Sequence, residues 1–469
     1  MSDEIARPQE LRINAWNGVG APQQPLPPRT PWAQMEKLAG KTQWLGPPTA
    51  VDERDWTHPD VGWGLVLPDN DDIAKAERAA ADDTKQPAIV RLVQKRNNAP
   101  VLRWRKELQQ GYLRRYYADG TMQDLSAQAP NPGIGKGRIP RYLLIYAPPD
   151  RIPWAVQYAL NMSAFVGRLD LEGTQLDHYV DALISDWAGQ VSDPRAPLVW
   201  SVDHGQNDIT SLMARAVAGK LWDKFDSNAD LAKRRWLKDA SATRDELGAA
   251  LAQQSPALVI TTSHGMTGPL NDKDMLKSQL GAPVDAQYAV LGTQQLDGWQ
   301  PSGAIWYAHA CCSAGADAES RYKGLLPENG AIGSLLSQIA AAAGATIAPL
   351  PRTLLGAEKP LRAFVGHVEP TFDWTLRDPA NKQVLTHVLC AAIYDKLYED
   401  YKRNPIGWAL QKVYKEAGDF YGAWQSAVRD IDKNVVGMRD FALYRQLVAM
   451  DRQTLVILGD PTVALSPMN

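Results

Sequence analysis

From Tyr142 onward, short apolar runs alternate with stretches whose apolar residues recur every three or four positions. The runs at Tyr142–Tyr146, Leu198–Val202, Ala257–Thr261, Ala304–Tyr307, Leu361–Val365 and Thr454–Leu458 predict strands. The periodic stretches at Leu176–Trp187, Ile209–Phe225, Thr243–Gln254, Ala331–Ala343 and Val384–Tyr401 predict helices, and Trp154–Leu160 begins a helix or turn. Strands that are apolar on every residue are buried on both faces. Such strands, separated by helices, predict an α/β fold with a mostly parallel sheet. In sheets of this kind the chemistry collects at the carboxyl ends of the strands.

The first 139 residues read differently. Residues 1–70 are rich in Pro, Gly and Trp, which forbids long helices. They read either as an extended arm that packs its tryptophans on the body or as a leader with little structure. Asp69–Asp83 has helix-forming composition, and Ala118-Asp119-Gly120 signals a turn. The loop chemistry of Ala127–Pro140 places a boundary between an N-terminal accessory region, 1–139, and a main domain, 140–469. The Gly133-x-Gly-x-Gly137 run lacks a leading strand and a following apolar helix, so it is not a nucleotide fingerprint.

Composition narrows the classes. A chain of 469 residues with 45% hydrophobic and 22% charged residues can bury a large core unaided. A net charge of −3 gives no bulk attraction to nucleic acid or to an anionic membrane. The three cysteines, Cys311, Cys312 and Cys390, exclude a disulfide scaffold and a four-cysteine zinc site. They suit a reduced, cytoplasmic protein. No apolar signal core opens the chain and no stretch predicts membrane insertion. The histidines are scattered and form no HExxH motif, so neither a metal nor a cofactor is expected.

Two predicted strands end on reactive residues. One runs through Leu258-Val-Ile-Thr-Thr-Ser into His264-Gly265. The other runs from Ala304 into His309-Ala310-Cys311-Cys312-Ser-Ala-Gly315, 47 residues after His264 by Cys311. An imidazole beside a thiol makes the thiolate, which is the nucleophile. Small residues and glycine leave backbone N–H groups free for an oxyanion, here at Gly265 and Cys311. A His about 50 residues before an Ala-Cys step is also the caspase-type layout.

Six blocks in order resemble the caspase–gingipain clan of cysteine peptidases, in particular bacterial gingipain-like, caspase-like proteins. They are Pro140–Leu160, Ala164–Asp170, Ser263–Pro269, His309–Gly315, Arg362–Trp374 and Leu455–Leu465. The resemblance covers about 140–469 and implies a caspase-like three-layer sandwich. It also implies a cysteine endopeptidase with a His264–Cys311 dyad, a thioester acyl-enzyme and a protein substrate. Matching on Ala-Cys selects Cys311, whereas matching on the distance to Gly315 selects Cys312. Strand alternation allows only one of the two to face His264, and Cys311 is preferred.

No motif marks an acid for the histidine. Asp203, at the end of the Leu198–Val202 run, is the candidate, as His-orienting or pocket carboxylate. A pocket for a basic side chain would use Asp203 or Asp208, and one for an acidic side chain Arg168 or Arg321. His204 rivals His264, His309 shares the cysteine strand, and His367 and Glu369 end a later strand. Asp460 reads as a turn residue. The second functional class is a binding or scaffold protein that kept the fold without turnover. A regulatory protein partner suits either class, because an intracellular peptidase needs restraint.

Overall fold

The computed structural model describes residues 10–25, 51–378, 381–398 and 402–468. The second and third tryptophans of the N-terminal region and the last residues of the predicted Val384–Tyr401 helix lie outside them.

Twelve strands form one sheet. From one edge come Arg235–Leu237, Leu198–Ser201, Leu258–Thr262, Ile305–His309, Ala363–His367 and Leu455–Gly459. Phe165–Leu169, Tyr142–Tyr146, Trp63–Pro68, Val101–Trp104, Tyr112–Tyr116 and Met122–Ser126 continue it to the other edge. Pairing is parallel except where Leu455–Gly459 meets Ala363–His367 and in the final meander of Val101–Trp104, Tyr112–Tyr116 and Met122–Ser126. The Tyr142–Tyr146 strand shows why its sequence is apolar throughout. Leu144 packs into the core on one face, with Leu92 and Leu176 of two helices, while Leu143 and Ile145 pack on the other face with Val156 and Leu160. Helices therefore cover both faces, and the fold is α/β as expected.

The expected division at 139/140 falls between strands of this one sheet. Trp63–Pro68 pairs in parallel with Tyr142–Tyr146, in the register Leu65 to Leu144. Trp63 also donates its indole N–H to the buried carboxylate of Asp460 at 2.9 Å. Asp460 is thus more than a turn residue, since it accepts from Thr462 as well and its N–H donates to the Tyr179 hydroxyl. Two further expectations are corrected. Asp69–Asp83 forms only short 3₁₀ turns at Glu77–Ala79 and Asp82–Thr84. The C-terminal third contains a long helical hairpin, Gln411–Asp432 against Met438–Thr454, that the periodicity argument did not mark. The hairpin and the Ala331–Ala343 helix build a second core, which encloses Cys311 and Cys312 together with Leu11, Ile13 and Ala15 of the N-terminal segment.

Candidate active site

Leu258–Thr262 and Ile305–His309 are parallel neighbours, with Thr262 opposite His309. His264 and the cysteine pair therefore leave the same end of adjacent strands. His264 opens a three-residue strand, His264–Met266, which pairs antiparallel with Pro283–Val284 and in parallel with Ala15–Trp16. Gly265 explains the His-Gly step. A Cβ there would lie 1.9 Å from the Cys311 carbonyl oxygen, so only glycine lets the two backbones touch.

The His264 ring is fully buried, and its Nε2 is 2.9 Å from Asp208 Oδ2. Asp208 also caps the Ile209–Met213 helix, its Oδ1 accepting from the Thr210 N–H at 2.8 Å and the Thr210 hydroxyl at 2.6 Å. Burial works against this carboxylate. The hydrogen bond and charge of His264, with the Thr210 donors, nonetheless bring its pKa down to about 2. An ionised carboxylate only accepts, so Nε2 carries the shared proton. Nδ1 has no hydrogen-bond partner.

This corrects the choice of acid. Asp203 accepts from the Gly205 N–H at 2.8 Å and the Ser211 hydroxyl at 3.2 Å, so it shapes the turn after its strand instead of holding His264. The helix cap at Asp208-Ile-Thr210 was a readable signal for Asp208, but nothing in it pointed to a histidine 56 residues away. His204 stands beside His264 as a stacked neighbour, with centroids 5.7 Å apart, and stacks on Tyr288 at 4.1 Å. Burial, then the neighbouring His264, lowers its pKa. Trp16 completes the aromatic wall, 5.8 Å from His264.

The cysteines do not obey strand alternation, because the strand stops at His309. Cys312 adopts a left-handed backbone, φ 54°, and this turn brings the two sulfurs to 3.4 Å. Cys311 is fully buried and Cys312 is 2% exposed. Burial, with Cys312 beside it, pushes the Cys311 thiol well above its ordinary value. The alternation argument for Cys311 over Cys312 therefore loses its basis. Of the expected oxyanion donors, the Gly265 N–H already donates to the Asn14 carbonyl at 2.9 Å.

The other candidates have structural partners. His309 Nδ1 is 2.6 Å from the Tyr307 hydroxyl, and its ring meets His367 edge-on at 4.8 Å, in the interior. Arg168 donates to Gln157 Oε1 at 3.0 Å and to the Ala147 carbonyl at 2.9 Å, and lies over the Trp154 ring. Arg321 lies over Tyr158. Glu369 accepts from the Arg321 N–H and the Ser320 hydroxyl, and burial raises its carboxyl to about 7. Among the described residues no cluster of three or more His, Cys, Asp or Glu side chains could hold a metal ion, and no helix is long and apolar enough to cross a membrane.

No protein-family model and no curated protein matches the chain. A solved structure, the separase–securin complex of Saccharomyces cerevisiae, is similar over 73% of this chain at 11% identity, with a TM-score of 0.33. The similar region makes up 16% of that chain's length.

Proposed function

We propose that the protein is a cysteine peptidase of the caspase–gingipain type, in which His264, held by Asp208, activates the Cys311–Cys312 pair. One observation carries the reading. A histidine with a carboxylate on Nε2 and a free Nδ1 is set against the backbone of a cysteine pair, at the carboxyl ends of neighbouring parallel strands. The third member of such a triad fixes the tautomer and stabilises the imidazolium that forms.

In the proposed reaction, His264 Nδ1 takes the thiol proton and the sulfur attacks the peptide carbonyl carbon. The Gly265 N–H, with the Cys311 N–H, stabilises the oxyanion. As the C–N bond breaks, His264 returns the proton to the departing amine and leaves a thioester. Water, deprotonated by the same nitrogen, then releases the acid. No cofactor enters.

Cys311 is the nucleophile on the Ala-Cys match. The left-handed backbone of Cys312 favours the second choice, because a non-glycine residue held at positive φ costs energy and such residues concentrate at active sites. The test is peptide-library cleavage by Cys311→Ala, Cys312→Ala and His264→Ala. If Cys311 is the nucleophile, Cys311→Ala and His264→Ala lose turnover together and Cys312→Ala keeps most of it. The reverse pattern for the cysteines assigns Cys312. Turnover that survives His264→Ala removes the His–Cys mechanism, and protein that cleaves nothing even with the Ala15–Trp16 strand unseated from His264–Met266 removes the peptidase reading and favours a binding protein.

A further inference from the structure

The N-terminal segment runs through the site. Arg12 donates its backbone N–H to Asp373 Oδ1 at 3.4 Å, and Ile13 forms an antiparallel bridge with Phe372. Two residues on, the segment pairs in parallel with the histidine strand, Ala15 opposite Gly265 and Trp16 opposite Met266. The Gly265 N–H donates to the Asn14 carbonyl and the Thr267 N–H to the Trp16 carbonyl, both at 2.9 Å. An extended strand is thus clamped between the Thr371–Asp373 stretch and the His264–Met266 strand. Ile13 and Ala15 enter the apolar cluster that holds Cys311 and Cys312, while Trp16 faces His264.

The Asn14 carbonyl rests on the N–H that follows the histidine, which is the position a scissile carbonyl would take. Its side chain is fully buried. Oδ1 accepts from the Thr371 N–H at 3.0 Å, and Nδ2 has no partner. The Thr371 N–H reaches the end of this side chain and offers it one backbone donor, which suits an acceptor of this length. A leucine there would strand that N–H.

We infer that this groove is the substrate cleft, that it takes an extended polypeptide with asparagine on the acyl side of the bond, and that residues 12–16 of the same chain occupy it as an intramolecular competitor. The inference rests on the peptidase reading for its function and on the strand pairing for its geometry. A tethered segment has an effective concentration in the millimolar range, so substrate binds only after the segment leaves.

The test uses the full chain and the rate of iodoacetamide alkylation of the cysteine pair. Asn14→Lys puts a cation into the closed pocket and should unseat the segment, raising the rate at least tenfold. Trp16→Ala, which removes only the ring beside His264, should do the same to a smaller extent and serves if Asn14→Lys does not fold. In the unseated variant the peptide Arg-Ile-Asn-Ala-Trp should protect the cysteines at a concentration at least tenfold lower than Arg-Ile-Leu-Ala-Trp. Wild-type alkylation rates in both variants would overturn the occupancy, and equal protection by the two peptides would overturn the asparagine pocket. Selective protection without cleavage of the peptide would leave the cleft standing and remove the peptidase reading alone.

Discussion

Replacing Asp208 by Asn removes the carboxylate from His264 while keeping the side chain's size and an oxygen for the Thr210 cap. The wild-type carboxyl lies at about 2 against an ordinary 3.8, despite burial that acts the other way. At 1.36 kcal/mol per tenfold change in proton affinity, that difference is about 2.5 kcal/mol. The Asp208 side chain is 20% exposed. Solvent screening and the Thr210 share leave roughly half, about 1 kcal/mol, for the pair with His264. A loss of that size slows imidazolium formation several-fold. An asparagine that turns its amide N–H toward the ring also forces the other tautomer, which costs up to about 10⁴ in a comparable triad. Asp208→Asn should therefore alkylate with iodoacetamide about 10- to 10⁴-fold more slowly at pH 7 and lose peptide turnover in proportion. Asp203→Asn, at a turn with no bond to His264, should stay within about twofold of wild type. The sign of the pH dependence follows from the lowered pKa. The carboxylate's stabilisation is complete above 3.8 and is lost as pH falls toward 2, so the Asp208→Asn stability deficit should vanish in that acid window. Wild-type alkylation in Asp208→Asn together with slow alkylation in Asp203→Asn would refute the reasoning.

Glu369 runs with the opposite sign. Burial raises its carboxyl from 4.5 to about 7, so the penalty for ionising it grows as pH rises through that interval. Glu369→Gln should match wild type below pH 4.5 in thermal melts and exceed it by up to about 3 kcal/mol at pH 8, and a gap that is flat with pH would exclude the burial argument. Deleting residues 1–137 removes four strands of the twelve-stranded sheet and leaves Tyr142–Tyr146 as its exposed apolar edge. That truncated chain should be insoluble or melt far below the full chain, and a soluble product with an unchanged far-ultraviolet spectrum would show that the 63–126 strands are dispensable.

The strands near the site were legible because burial on both faces leaves a short apolar run in the chain itself. Leu258–Thr262 and Ile305–His309 are buried throughout and open on apolar residues for that reason, and the residues that follow a buried strand in such a sheet fall at its working end. His264-Gly265 and the Cys311–Cys312 turn could be marked from those positions alone. The helical hairpin of Gln411–Asp432 and Met438–Thr454 was less visible, since charged residues interrupt the apolar stripe of the first helix and the fully buried second half of the other carries Gln446, Asp451, Arg452 and Gln453 among its apolar residues.

Partnerships between distant residues leave no such mark. Asp208 is distinguished from Asp203 only by a helix cap, and its second oxygen meets His264 because two neighbouring parallel strands bring their ends together. Alternation predicted opposite faces for Cys311 and Cys312, but the strand ends at His309, two residues before Cys311, and a left-handed turn brings the two sulfurs together. The boundary at 139/140 reflected real loop chemistry in Ala127–Pro140. Pairing of Trp63–Pro68 with Tyr142–Tyr146 across that loop depends on hydrogen bonds between backbones, which are identical for every sequence. For the same reason nothing about Asn14, at the other end of the chain, announced that its carbonyl would rest on Gly265. Local burial is written residue by residue, whereas the meeting of Asp208, His264, the cysteine pair and Asn14 exists only once the sheet has closed around them.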